Sequence, residues 1–131
     1  MKERIAAAEG LLVGTWDVEI IDDLAPVEGD VIVDKNRYDA FVYTDMEVVL
    51  RALGVTSVLV TGCATNVCVE STARAADMRD FTVAVASDCT TTQAEFHTNA
   101  LLAMAGLGMN VVPWRDALPD LVMDGFAVSV A

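Results

Sequence analysis

Between Ser57 and Arg79 the chain changes its hydrophobic period within a few residues, and this limits its possible folds more than any other feature. Ser57 to Val60 is a short apolar run with β-branched residues, the signature of a buried strand. From Val69 onward, Ala73 and Ala76 follow at helical spacing as far as Arg79. Between the two lies Thr61-Gly62-Cys63-Ala64-Thr65-Asn66-Val67-Cys68-Val69-Glu70, a small-residue passage from strand end to helix start. Cys68 falls on the first helical turn. Amide N–H groups there have no intrahelical partner, and the positive end of the helix dipole lies behind them. A thiol so placed is favoured as thiolate, and the same N–H groups can hold an oxyanion. Cys68 is therefore a candidate nucleophile, weighed against a small buried packing residue.

The rest of the chain alternates in the same way. Val31 to Val33 predicts a short strand ending at Asp34-Lys35, and Asn36 to Phe41 a loop. From Asp45, Met46, Val49, Leu50 and Leu53 stand at i, i+3, i+4 and i+7, a helix closed by Gly54. Thr82 to Ala86 predicts a strand ending at Ser87-Asp88-Cys89. After a Thr-rich turn, Phe96, Ala100, Ala103, Met104 and Leu107 mark a long helix stopped by Gly108. Asn110 to Pro113 is a last short strand, with a short helix around Leu118 to Met123. At the other end Lys2 to Glu9 predicts a helix, and Gly14 to Pro26 reads as irregular. Strand and helix alternate at intervals a βαβ crossover spans, so the fold class is α/β, mainly parallel, in one domain over residues 1–131. Ligands of such sheets sit beyond the carboxyl ends of the strands. Lys35, the Cys63 to Cys68 turn and Asp88-Cys89 all lie at such ends.

Composition narrows the partners. Twenty acidic against eight basic residues, a formal charge of −12, argues against nucleic acid and anionic membrane. A hydrophobic content of 54% excludes a disordered acidic tail. No apolar run reaches the roughly eighteen residues of a membrane span, and Met1 to Arg4 leads into no signal-like apolar core. Three cysteines, an odd number, suit a reducing cytoplasm better than a disulfide framework.

Gly62-x-Ala64-Thr65-Asn66-x-Cys68-Val69-Glu70-Ser71-Thr72-Ala73-Arg74 resembles the nucleophile motif of the isochorismatase-like cysteine hydrolases, a superfamily with nicotinamidases, N-carbamoylsarcosine amidases, and biuret and ureidoacrylate amidohydrolases. Asp34-Lys35-x-x-Tyr38-x-Ala40-Phe41 is similar to its lysine motif, and Gly14-Thr15-Trp16 with Leu24-Ala25-Pro26 to the segment before it. The resemblance implies a Rossmann-like, three-layer parallel sheet flanked by helices. It also implies an Asp, Lys, Cys triad that cleaves a small amide or ureide through a thioester. Carried over, Cys68 is the nucleophile and Lys35 its electrostatic partner. The Cys63–Ala64 bond is the family's cis peptide, with the Ala64 and Cys68 amides as oxyanion hole. Tyr38, Phe41, Thr65 and Asn66 line the substrate pocket.

One element of the family pattern is missing. Only 34 residues precede Lys35, and none forms an apolar strand ending in the family's aspartate. The family's first two strands, which separate the lysine and cysteine strands in the order 3-2-1-4-5-6, are expected to be absent, as in an N-terminally shortened member. Substitute carboxylates are Asp34, Asp88, Asp22, Asp23 or an acid from a partner chain. An open parallel edge is an aggregation hazard, so a homo-oligomer, most simply a dimer completing the sheet, is expected. The family mechanism requires no cofactor. The competing expectation is a zinc or manganese site drawing on His97, the cysteines and acidic residues, giving a metal-assisted ester or phosphoester hydrolase in a dimer cleft. A catalytically inactive remnant is the third. His97 otherwise reads as a capping or surface residue, and Cys63, Cys89, Trp16 and Trp114 as packing residues.

Overall fold

The computed structural model describes the backbone of residues 11–121 and the side chains of residues 11–117. The helix expected over Lys2 to Glu9 lies outside the described residues. The chain divides into two compact units, Met1–Asp30 and Val31–Ala131. In the first, residues 11–30 are irregular, with two 3-10 turns at Trp16–Val18 and Asp22–Leu24. The Asp17 carboxylate accepts hydrogen bonds from the Leu11 N–H and the Thr15 hydroxyl. These, the Leu11 N–H foremost, hold its pKa below the ordinary carboxylate value.

Among its described residues the second unit is built on three parallel strands, β1 (Ser57–Cys63), β2 (Thr82–Thr91) and β3 (Asn110–Val112), in the order β1-β2-β3. Four helices accompany them: α1 (Met46–Ala52), α2 (Glu70–Asp77), α3 (Ala94–Gly106) and α4 (Trp114–Leu121). The expected helix at Leu118 thus begins four residues earlier, at Trp114, directly after Pro113. Burial follows sequence pattern closely. In β1, Val58 and Val60 are buried and alternate with half-buried residues. Val83, Ala84, Val85 and Ala86 of β2 are buried in succession, as a central parallel strand covered on both faces requires. Val69, Ala73 and Ala76 form the buried stripe of α2, and Met46 with Leu50 that of α1. The stripe on α3 is narrower than its sequence suggests, because Ala100 and Met104 are buried while Phe96 and Leu107 are exposed.

Three helices end by one device. At α1 the Gly54 N–H donates to the Arg51 carbonyl and the Val55 N–H to that of Leu50, with Gly54 at φ +71°. At α3, Gly108 donates to Ala105 and Met109 to Met104. Both are Schellman closures in which an apolar residue just past the end (Val55, Met109) is buried with its carbonyl partner (Leu50, Met104). After α2 the same pair of bonds runs from Asp80 to Asp77 and from Phe81 to Ala76, but a non-glycine, Asp80, takes the left-handed conformation at φ +62°.

Two strand expectations need correction. Val31 to Val33 forms no strand. A strand exists only by its ladder, and among the described residues β1 pairs with β2 alone. Val33 still packs against the core, whereas Val31 and Ile32 are exposed. In addition, β2 does not stop at Asp88-Cys89. Its register with β1 runs Val60↔Val85, then resumes at Gly62↔Thr90 and Cys63↔Thr91. Residues 86–89 have no partner on β1, although Ala86 still pairs with Val112 of β3, and Gly62 allows the shift at φ +105°. Thr90 and Thr91, expected as turn, are strand.

Candidate active site

The peptide bond that ends β1, Cys63–Ala64, is cis. Beyond it the chain does not enter an α-helix at once. Thr65–Val69 forms one wide π-type turn, and α2 follows from Glu70. The Ala64 carbonyl accepts from the Val67 N–H at 3.0 Å and from the Val69 N–H at 3.3 Å. Cys68 lies between these donors and its N–H is neither of them, so the thiol rides on a local widening of the helix, a geometry frequent at functional sites. Two buried side chains anchor the turn, Thr65 at its start and Val69 at its end.

Lys35, Val60, Thr61, Cys63, Cys68, Val69 and Thr72 line one shallow cleft. The residues of both sequence motifs therefore meet at the carboxyl end of β1, as the parallel topology demands. Lys35 is half-buried, and its ammonium donates to the Arg37 carbonyl at 3.2 Å. The loop carrying Lys35 is pinned to α2 through Thr72, whose hydroxyl accepts from the Ala40 N–H at 3.1 Å and donates to the Tyr38 carbonyl at 3.5 Å. Glu70 and Arg74 of the same motif face each other, with Arg74 Nε and Nη2 2.9 and 2.7 Å from Glu70 Oε1. That pair places a carboxylate in the first turn of α2 and a guanidinium in its last, each complementing the helix dipole.

The remaining expected pocket residues divide. Ala64 and Asn66 are half-buried neighbours of the thiol on its turn, and Asn66 Oδ1 is buried with no hydrogen-bond partner among the described residues. Thr65 is fully buried, and its hydroxyl lies 2.9 Å from His97 Nδ1. Phe41 is not brought to the cleft. It is a core residue whose ring centroid lies 6.1 Å from that of Phe81, under the Arg79 guanidinium, and it lines a separate apolar dimple with Met46 and Leu50. Tyr38 is exposed, and its carbonyl, not its ring, holds the recorded contact to Thr72. Asp88-Cys89 does not join the cleft either. Lying in the stretch of β2 without a partner on β1, Asp88 accepts from the Trp114 N–H at 2.8 Å and caps α4. Burial pushes the Cys89 thiol above its ordinary pKa, and the adjacent Asp88 charge adds to this. Among the described residues no three His, Cys, Asp or Glu side chains form a metal-binding group, and no helix is long and apolar enough to cross a membrane. Neither the part of Thr72 in holding the lysine loop nor the bond from His97 to Thr65 was expected from sequence, which read His97 as a capping or surface residue or a metal ligand. Thr72 had a signal, since it follows Cys68 by one helical turn and shares its face. His97 had none.

Fold and cleft together define a class: parallel α/β proteins whose thiol rides on the turn after a sheet strand, with a lysine from an upstream segment on the same cleft. The chain belongs to the isochorismatase domain family, whose profile matches residues 1–116. It is 46% identical over 77 residues to the ureidoacrylate amidohydrolase RutB of Caulobacter vibrioides, covering 59% of this chain and 34% of that protein. Its structure is similar to a cysteine hydrolase from Pseudomonas syringae pv. phaseolicola, with a TM-score of 0.84 at 29% identity over 95% of this chain and 65% of that one. The nicotinamidase SaPncA of Staphylococcus aureus superposes with a TM-score of 0.59 at 30% identity, over 60% of this chain and 52% of that one. The chain spans about a third of the length of the curated relatives it matches.

Proposed function

We propose that this protein is a cysteine hydrolase that cleaves a small amide or ureide through a thioester on Cys68. The observation carrying this reading is that Lys35 and Cys68 line the same cleft. In the reaction the Cys68 thiolate, stabilised by the Lys35 ammonium, attacks the substrate carbonyl carbon. The amides of Ala64 and Cys68 hold the resulting oxyanion. As the adduct collapses the C–N bond breaks, the proton taken from the Cys68 thiol by the carboxylate base passes to the leaving nitrogen, and water then hydrolyses the acyl-thioester to the acid and the free thiol. No step calls for a cofactor. The activities of the similar proteins named above support this reading. Of the carboxylates considered as base, Asp88 is engaged in capping α4, and Asp34, next to Lys35 in the chain, is the one to test.

Turnover on a panel of ureides, primary amides, esters and phosphoesters tests the proposal. Cys68→Ala is expected to lose at least about 10³-fold in kcat, and Lys35→Ala about 10²–10⁴-fold, with chelator having no effect. Amide turnover that survives Cys68→Ala, or that chelator abolishes, overturns it. In the same reading two copies associate along the unpaired edge of β1, a proposal supported by that edge and by the exposed Ile32 and Val31. Sedimentation as a compact monomer at micromolar concentration would count against that association. Three free cysteines support a reducing, cytoplasmic location.

A further inference from the structure

The turn carrying the thiol begins with a threonine that is 0% exposed. A buried hydroxyl needs a partner, and the recorded one for Thr65 Oγ1 is His97 Nδ1 at 2.9 Å. His97 sits in the first turn of α3, where its own N–H is held by the Gln93 carbonyl at 3.0 Å. The ring is thus presented by a 13-residue helix and reaches across 32 positions of sequence to the turn. Hydroxyl and ring nitrogen share one hydrogen bond, whose donor is set by the tautomer of the ring. His97 is not among the residues lining the Lys35–Cys68 cleft. Its recorded link to the site is the bond to Thr65.

We propose that His97 is a positioning residue for the Cys68 site. Through Thr65 it fixes the start of the Thr65–Val69 turn, and so the placement of the thiol relative to the Ala64 and Cys68 amides. The wide turn explains why such an anchor is needed. Its first carbonyl is shared between the Val67 and Val69 amides, so the backbone lacks the regular ladder that holds an ordinary helical turn. Side chains at its two ends supply the constraint instead, Val69 by burial and Thr65 by the bond to His97. A shift of about 1 Å in a reacting group costs on the order of 10²-fold in rate. The inference rests on Cys68 being the nucleophile, and its test separates the two.

Wild type, His97→Ala, His97→Asn, Thr65→Val and the double variant His97→Ala/Thr65→Val are compared in the full chain. Two readouts are taken: kcat and KM on the amide turned over fastest, and the rate of Cys68 alkylation by iodoacetamide, followed by peptide mass spectrometry. His97→Ala is expected to lower kcat about 10–100-fold with KM within about twofold, and to change Cys68 alkylation by about 10-fold. Asn can place Oδ1 or Nδ2 where Nδ1 stood, so His97→Asn restores most of both. The double variant is no worse than its poorer single, the non-additivity of groups acting through one bond. Should His97→Ala fail to fold, the near-isosteric Thr65→Val carries the same comparison against His97→Asn. Wild-type kcat and alkylation in His97→Ala, failure of His97→Asn to restore, or additive losses in the double variant overturn the proposal. Turnover that survives Cys68→Ala would instead end the parent reading, and alkylation alone would then decide the role of His97.

Discussion

Replacing Thr72 by valine removes one hydroxyl and keeps the side-chain shape, so it isolates the link between the lysine loop and α2. Thr72 is buried, and the Ala40 whose N–H it accepts at 3.1 Å is fully buried too. With the hydroxyl gone, that N–H loses its recorded acceptor at a fully buried position. An unsatisfied buried donor costs about 1–3 kcal/mol. The second bond, to the Tyr38 carbonyl at 3.5 Å, is at the limit of useful geometry and adds little. Urea denaturation should show a lower midpoint with unchanged slope. For a chain of this size the melting temperature should fall by roughly 3–10 °C. Thr72→Ser is the control. It loses a methyl, about 0.8 kcal/mol of burial, but keeps the acceptor. The decisive assay is amide hydrogen exchange at Ala40, which should accelerate in Thr72→Val and not in Thr72→Ser. Because Thr72 also lines the cleft and pins the segment following Lys35, turnover should fall about tenfold in the valine variant, the cost of a loosened lysine. Unchanged Ala40 protection in Thr72→Val would refute the reasoning, whatever the midpoint did.

Arg79 should matter more than its ion pair. Glu47→Gln breaks a bond of 3.0 Å between side chains that are 31% and 46% exposed, and should cost under about 1 kcal/mol. Arg79→Ala also removes the bond to the Ala75 carbonyl and the guanidinium over Phe41, and should cost about 1–2 kcal/mol by urea denaturation; equal losses would contradict this. Asp80→Gly relieves the left-handed residue after α2 and should stabilise by roughly 0.5–1 kcal/mol, a raised midpoint being the check. A raised pKa leaves Cys89 with less thiolate at a given pH, so it should label more slowly than an unperturbed thiol between about pH 7 and 9. Asp88→Asn removes the adjacent charge yet keeps an oxygen for the Trp114 N–H, and should speed labelling; an unchanged rate would remove Asp88 as a cause.

The thiol-bearing motif was readable because everything that forms it is close in the chain. The period switches from strand to helix within ten residues, and the buried stripe of Val69, Ala73 and Ala76 follows directly. Helix ends were equally local, Gly54 and Gly108 marking closures whose bonds span five residues. The Lys35 position was readable through its own motif. Its β context was not, because a strand needs a neighbour, and the Val31 to Val33 segment has none among the described residues.

Asp88 and Phe41 show the same limit from the side of the site. Both lie near residues that do reach the cleft, and both turn elsewhere, Asp88 to the head of α4 and Phe41 into the core. Sequence alone determined the α/β class and the strand-to-helix turn, since periodicity and short-range backbone bonding act within a few residues, while Lys35 was picked out by its resemblance to the family's lysine motif. Tertiary structure alone decided which side chains support them. The bonds from Thr72 to Ala40 and from Thr65 to His97 each join positions 32 apart, and whether a buried hydroxyl finds its partner depends on how helices and loop settle on the sheet.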